Sequence, residues 1–319
     1  MRIVLLDSFT TDGGRTGDWT LLHILGQVMA YPRTPRAETI ERCQGATMIM
    51  TNKVILDEPV FAALPELRYV GLCSTGTNAV DLAVAQARGI AVTNVPGYST
   101  ESVAQLVFAL ILHFANGVAE HAHAVKAGRW AGGPDFCFRL HPLHELAGKT
   151  LVVLGLGAIG QSVARVGKAF GMRVVAAAVP GSTTVDRVPL DQALGMADFV
   201  TLHCPLSPST ANLVDHAFLA SMKPGAMIVN TSRGGVVSEP DVVAALSSGR
   251  LGAFASDVLS QEPPAPTHPL IDPKAPFADR VAITPHLGWL TDEARARLRH
   301  EVGENAAAFL RGERRNRVV

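Results

Sequence analysis

Cysteine is scarce in this 319-residue chain, the charges balance and no apolar run is long. Each shortage excludes something. Cys43, Cys73, Cys137 and Cys204 form no C-x-x-C pair, and a chain of this size needs no disulfide staples. They are expected as reduced thiols of a cytoplasmic protein, and no metal is expected. Lys plus Arg (28) equals Asp plus Glu (28), so the clustered cations on which nucleic-acid affinity rests are missing. The basic ending "RGERRNRVV" is expected as a solvated helix end and tail. The longest apolar stretch, "LVFALIL" at 106–112, ends at His113. It is too short to span a bilayer and reads as a buried helix, so no membrane partner is expected. The start, "MRIVLLDSFT", lacks a signal-peptide pattern and reads as a first buried strand. Internal repeats and low-complexity segments are absent.

What the chain does have is alternation. Its length suggests two domains, and 48% hydrophobic residues supply their cores. "RIVLLD", "ATMIMT", "LRYVGLC" and "IAVTNV" are short, apolar and β-branched. "GDWTLLHILGQ", "EPVFAAL" and "AVDLAVAQARG" between them have helical spacing, a βαβα pattern that predicts a parallel sheet covered by helices. After Pro96-Gly97, Ser99 or Thr100 can cap one long helix, "ESVAQLVFALILHFANGVAEHAHAVKAG". Residues 128–148, rich in Gly and Pro with scattered aromatics, read as an extended arm. A second series begins at Lys149, with strands "TLVVLG", "RVVAAAV", "FVTLHC", "AMIVNT", "AFASDV" and "VAITP". Six strands complete a doubly wound sheet near residue 289, leaving the last helix, "TDEARARLRHEVGENAAAFLRG", to pack on the first domain.

"GLGAIG" places Gly155, Gly157 and Gly160 in G-x-G-x-x-G spacing around Ala158 and Ile159. The first glycine permits a tight turn and the second lets a pyrophosphate approach the backbone. The third lets the helix sit close to the strand, with its N-terminus facing the phosphates. A strand precedes the motif and a helix follows it, the context a dinucleotide site requires. The fingerprint normally ends in an acid that grips the adenosine ribose. Here the strand end reads "AAAVPGST", with Ala178 near the acid position and no carboxylate before Asp186. Ser182, Thr183, Thr184 and Arg187 either receive a 2′-phosphate or form a plain polar loop, so NAD(H) and NADP(H) both stay open.

Three later segments carry chemistry. Arg233 follows a strand in "VNTSRGGVV", Glu262 precedes two prolines in "DVLSQEPP", and His286 follows a strand in "ITPHLGW". Singly, each reads as well as a surface charge, a solvated acid or a structural hydrogen-bonder. All three sit in loops beyond strand carboxyl ends, where ligands of open α/β sheets bind. Together they suit a 2-oxo acid. The arginine fork binds a carboxylate, histidine supplies a proton as hydride arrives, and a carboxylate beside the ring orients it and favours imidazolium.

The chain resembles the D-2-hydroxyacid dehydrogenase family over essentially its whole length. "STGTNAVDL", "NVPGYSTESVAQ", "GKTLVVLGLGAIG", "TLHCPLSPST", "MKPGAMIVNTSRGGVV", "SDVLSQEPP" and "ITPHLGW" carry the likeness in order. "YPRT", "TNKVIL", "RWA" and "TLHCPL" are most similar to the hydroxypyruvate reductase (glycerate dehydrogenase) branch. The resemblance implies two Rossmann-like doubly wound α/β domains, the nucleotide domain inserted into the substrate domain, with the active site in the cleft between them. Residues 1–98 and 290–319 would form the substrate domain, and 99–289 the nucleotide domain with a homodimerisation helix and arm at about 101–148. Arg233 would bind the substrate carboxylate, His286 would exchange the proton, and Glu262 would pair with His286.

The likeness extends to contacts. Ser74, Thr75 and Gly76 would hold substrate, and Thr75, Thr231, Ser232, Asp257 and Gly288 would line the nicotinamide side of the cofactor. Cys204, Pro205 and Thr210 would lie along its adenosine end. Lys53 and Trp289 would meet the substrate's distal group, or serve core or surface roles. The implied activity is NAD(P)H-dependent reversible reduction of a small 2-oxo acid, hydroxypyruvate or glyoxylate, to D-glycerate or glycolate. A sugar-derived keto acid, phosphite or a non-catalytic NAD(H)-sensing role are the alternatives. Glu262 disfavours formate dehydrogenase, which carries Gln there. Two positions depart from the family pattern: the missing ribose acid, and Gln105 in place of the usual Glu.

Overall fold

A computed structural model describes residues 1–12, 19–183 and 186–319. The chain divides into two compact units, Met1–Ser99 with Trp289–Val319, and Thr100–Gly288. Both are parallel α/β sheets of the expected doubly wound class. The division assigns Ser99 and Trp289 to the first unit. Trp289 packs edge-to-face on Tyr98 there.

The first unit's sheet holds β1 (Arg2–Leu5), β2 (Gln27–Ala30), β3 (Met48–Thr51), β4 (Tyr69–Leu72) and β5 (Ala91–Thr93), in the order β2-β1-β3-β4-β5. Successive side chains of a strand point to opposite faces. Ile3, Leu5, Met48, Met50 and Tyr69 therefore meet Leu298, Val302 and Ala306 of the helix Asp292–Leu310 on one face. Val4, Ile49, Val70 and Val92 meet Val60 and Phe61 on the other. A parallel sheet covered on both sides needs such nearly continuous apolar strands.

Strand β2 corrects the expectation of one helix through Gln27: the helix runs only from Thr20 to Leu25, and Gly17 and Asp18 lie outside the described residues. Gly26 ends it with fully extended backbone, and a Cβ there would meet the Met1 carbonyl oxygen at 2.6 Å. Gln27 N–H then donates to that carbonyl and starts the strand. The basic tail is likewise not simply solvated. Val92 N–H donates to the Val319 carbonyl, Val318 N–H to that of Val92, and Thr93 bridges Arg317 antiparallel. The tail satisfies the open edge of β5, which the charge count could not reveal.

The second unit's sheet holds β6 (Thr150–Leu154), β7 (Arg173–Ala177), β8 (Phe199–Leu202), β9 (Met227–Asn230), β10 (Ala253–Ser256) and β11 (Val281–Ile283). Their order is β11-β10-β9-β8-β6-β7. Leu151, Val153, Val229 and Ala255 face Val107, Phe108 and Ile111. Val152, Val200, Ile228 and Phe254 face Phe218, Val242 and Leu246. The single long helix expected after Pro96 is two, Thr100–Asn116 and Val118–Lys126, bent by 54°. Gly117 between them takes φ 54°, and a Cβ there would strike the His141 ring at 2.2 Å. No single helix among the described residues is long and apolar enough to cross a membrane.

Candidate active site

Three neighbouring parallel strands, β9, β10 and β11, end on the same side of the second unit's sheet. Arg233, Glu262 and His286 leave from the loops that follow them. The sheet thus sets the three loops side by side at one end.

Asp257, one residue beyond β10 and 4% exposed, organises the histidine loop. Its Oδ1 accepts from the Thr284 hydroxyl at 2.5 Å and Leu287 N–H at 2.9 Å, and its Oδ2 accepts from Gly288 N–H at 2.8 Å. The Asp257 carbonyl accepts from His286 N–H at 2.9 Å. Burial pushes the Asp257 carboxyl above the ordinary carboxylate range, and these hydrogen bonds oppose that push. So held, His286 takes φ 54°, a left-handed conformation that histidine tolerates better than most residues. Its Nδ1 stands 2.7 Å from Glu262 Oε2. Glu262 Oε1 accepts from Leu259 N–H at 3.1 Å. With Nδ1–H donated to a carboxylate, Nε2 is the nitrogen left to exchange a proton with a ligand. The two side chains keep 27% and 34% of their surface open, so the pair is reachable.

Asn230 shapes the arginine turn. Its Oδ1 accepts from both the N–H and the hydroxyl of Ser232, and its Nδ2 donates to the Arg233 carbonyl. The guanidinium donates to the Ser232 carbonyl at 2.7 Å, and no carboxylate among the described residues pairs with it. Gly234 must be glycine, because a Cβ would lie 1.9 Å from the Leu259 carbonyl carbon. The Arg233 turn therefore rests on the backbone of the Glu262 loop.

The glycine turn lies at the sheet's switch point, where β6 is flanked by β7 and β8. Gly155 takes φ +92°, and a Cβ there would lie 2.6 Å from Cys204 N. A Cβ on Gly160 would lie 2.0 Å from the Gly155 carbonyl oxygen. A Cβ on Gly157 meets nothing within 4 Å, yet Gly157 caps the twelve-residue helix Ala158–Ala169. Gly155 and Gly160 thus serve the fold, while Gly157 leaves open backbone at a helix N-terminus, which fits a dinucleotide pyrophosphate. Ala158 is exposed beside it and Ile159 is half-buried.

The residues expected on the adenosine side follow β8. Cys204 is 1% exposed, Pro205 is exposed, and the buried Thr210 hydroxyl donates to the Pro205 carbonyl at 2.6 Å. Thr210 acts by shaping this loop. Thr231 is half-buried, 3.5 Å from the His203 ring. At the end of β7, Ala178 pairs through backbone with Val188. Ser182 and Thr183 are exposed, Arg187 is half-buried, and Thr184 lies outside the described residues. Gln105 is exposed on its helix.

Lys53, Ser74, Thr75, Gly76 and Trp289 belong to the first unit. Asp7, after β1, accepts from the N–H groups of Asn52 and Lys53 at 2.8 and 2.6 Å and fixes that loop. The Ser74 hydroxyl donates to the Gly76 carbonyl and that of Thr75 to the Val95 carbonyl. Sequence reasoning missed the roles of Asp7 and Asn230 and the loop-organising part of Asp257, because each partner lies across the fold or in an unremarkable turn.

Comparison with known proteins agrees with this geometry. Residues 108–288 match the family model for the NAD-binding domain of D-isomer-specific 2-hydroxyacid dehydrogenases. A hydroxypyruvate reductase of Blautia hydrogenotrophica is 38% identical over 320 residues, 98% of each chain. A glycerate dehydrogenase of Methylorubrum extorquens is 36% identical over 282 residues, 88% of each chain. Among solved structures, the TT0316 protein from Thermus thermophilus superposes with a TM-score of 0.86 at 35% identity, over 100% of both chains. The cofactor class is accordingly NAD(H) or NADP(H). A family model over more than half of the chain and kinship along almost the whole of it converge: this chain belongs to the D-isomer-specific 2-hydroxyacid dehydrogenases.

Proposed function

We propose that the enzyme reduces hydroxypyruvate or glyoxylate to D-glycerate or glycolate, reversibly. The observation that carries this reading is the 2.7 Å contact between His286 Nδ1 and Glu262 Oε2, with Arg233, free of any carboxylate partner among the described residues, in the loop after the neighbouring strand. Relatives named hydroxypyruvate reductase, glycerate dehydrogenase and glyoxylate reductase support the substrate class.

The chain's own residues divide the work. Gly157 and the helix N-terminus at Ala158 would hold the dinucleotide pyrophosphate. When bound, the nicotinamide supplies or accepts the hydride. Arg233 binds the substrate carboxylate in its planar fork, so the 2-carbon is presented in one orientation. His286, oriented by Glu262, gives its Nε2 proton to the oxygen on that carbon in reduction and takes it back in oxidation. Lys53, Ser74, Thr75, Gly76 and Trp289 are assigned to substrate contact as part of the same proposal, as are Thr75, Thr231, Ser232 and Gly288 to the nicotinamide side. Cys204, Pro205 and Thr210 are assigned to the adenosine side, Asp257 to holding the 284–288 loop.

The chain is also proposed to act as a cytoplasmic homodimer. Trp130 and Phe136, 51% and 89% exposed in the 128–148 arm, supply apolar surface for a second copy. Light scattering on the purified protein tests this. Steady-state oxidation of NADH and NADPH with hydroxypyruvate, glyoxylate, pyruvate and 2-ketogluconate tests the activity. Preferred turnover of hydroxypyruvate or glyoxylate supports the reading; preference for 2-ketogluconate, or tight cofactor binding without turnover, overturns it.

A further inference from the structure

The loop that carries Glu262 is held by a group of side chains outside the Arg233, Glu262 and His286 set. Glu239 is the first residue of the helix Glu239–Ser247, which follows the Arg233 turn. Its Oε1 accepts from Ser260 N–H at 2.7 Å, and its Oε2 accepts from the Ser260 hydroxyl at 2.8 Å. The same Oε2 lies 3.0 Å from His268 Nε2. His268 Nδ1 accepts from Leu270 N–H, so Nε2 carries the hydrogen and donates to Glu239. The Glu239 and His268 side chains are only 13% and 16% exposed. Burial alone would push the Glu239 carboxyl up, but the bonds from Ser260 and His268 outweigh it and hold it below the usual range.

Two facts tie this group to the chemistry. Ser260 lies between Leu259, whose N–H holds Glu262 Oε1, and Glu262 itself. Leu259 is also the residue against which Gly234 packs. One mostly buried carboxylate thus bridges the segment after Arg233 and both ends of the 260–268 loop.

We propose that Glu239 is a positioning residue for the Glu262–His286 pair, setting through Ser260 and His268 the loop from which Glu262 reaches the histidine. The inference rests on the reading of His286 as the proton donor. An amide at 239 cannot serve three donors as a carboxylate does, because its nitrogen turns a hydrogen toward Ser260 or His268. The loop then loosens and Glu262 loses its fixed reach.

The test is a double-mutant cycle on the purified enzyme with glyoxylate and hydroxypyruvate. Glu239→Gln is expected to lower kcat about 10- to 100-fold, with KM for the 2-oxo acid and the melting temperature little changed. On a Glu262→Gln background it should cost nothing further, because the residue it positions is already disabled. Wild-type turnover by Glu239→Gln, or a loss that multiplies in full on Glu262→Gln, overturns the proposal. Should Glu239→Gln fail to fold, Ser260→Ala removes one exposed hydroxyl and carries the same cycle, with the same outcomes deciding. ¹⁵N-histidine NMR gives a readout without turnover. A displaced or broadened His286 Nδ1 resonance in Glu239→Gln supports positioning even if glyoxylate and hydroxypyruvate prove to be the wrong substrates. An unmoved resonance overturns it even if they are right.

Discussion

His286 Nδ1 and Glu262 Oε2 meet at 2.7 Å from loops that leave adjacent parallel strands. Replacing His286 by Asn removes the proposed proton donor and should lower kcat for reduction by about 10²- to 10⁴-fold. Replacing Glu262 by Gln removes a charge-assisted hydrogen bond worth about 1.5–3 kcal/mol, so about 10- to 100-fold. Single-turnover measurements with saturating cofactor check both. A Glu262→Gln enzyme as fast as wild type would remove Glu262 from the mechanism.

Arg233 has no carboxylate partner among the described residues, so its charge is available to an anionic ligand, under the proposal the substrate carboxylate. Arg233→Ala should lose two charge-assisted bonds, about 3–6 kcal/mol in all, and about 10²- to 10⁴-fold in kcat/KM. Arg233→Lys should recover only part of this, because an ammonium cannot make the bidentate contact. Parallel kcat/KM measurements on the two variants decide it.

The glycines of the nucleotide turn should separate in their effects. Gly157→Ala should lower the melting temperature only slightly, through the poorer helix cap, since its Cβ meets nothing, while weakening NAD(P)H binding by about 10-fold or more. Gly160→Ala should lower the melting temperature, since its Cβ would sit 2.0 Å from a carbonyl oxygen. Thermal unfolding and fluorescence titration, run on both variants, would expose the error if the two behaved alike.

His203, at the end of β8, has a buried Nε2 with no partner among the described residues, and burial pushes its pKa down from 6.5 to about 4. The folded chain keeps this ring neutral while the unfolded chain protonates it. The contribution is intact above pH 6.5 and is lost as pH falls toward 4, by at most about 3 kcal/mol. His203→Gln should flatten stability against pH in that window. Urea unfolding between those limits measures the slope, which should differ by up to one proton.

Ala178 stands where a ribose-gripping acid would disfavour a 2′-phosphate. Ala178→Asp should raise the ratio of NADH to NADPH efficiency by about 10-fold, equivalent to 1.4 kcal/mol. An unchanged ratio would mean that discrimination lies elsewhere on the loop.

The strands of both sheets were legible because parallel strands buried on two faces must be short, apolar and β-branched. Strand β2 was not: Gln27–Ala30 is an edge strand with no fully buried residue, so its composition carries no burial signal. The tail's pairing with β5 was equally hidden, since it joins backbone groups more than two hundred residues apart. Arg233, Glu262 and His286 could be named because each stands in an ordered motif. Asn230, Asp257, Glu239 and His268 show the limit: a polar side chain's partner across the fold leaves no mark in the local sequence. The bend at Gly117 was present as a glycine in a helical run, but the His141 ring that leaves no room there for a side chain was not.

Because the first unit draws on segments either side of the second, it cannot close early in synthesis. Ile3, Leu5, Met48 and Tyr69 need Leu298, Val302 and Ala306 to cover their face of the sheet, and those residues leave the ribosome only after the whole second unit. The second unit is continuous and has its whole sheet as soon as β11 emerges. A nascent chain therefore presents a bare apolar face to chaperones until residues 289–319 arrive. Limited proteolysis of chains arrested before and after that point should find 100–288 resistant in both and 1–99 resistant only in the longer one.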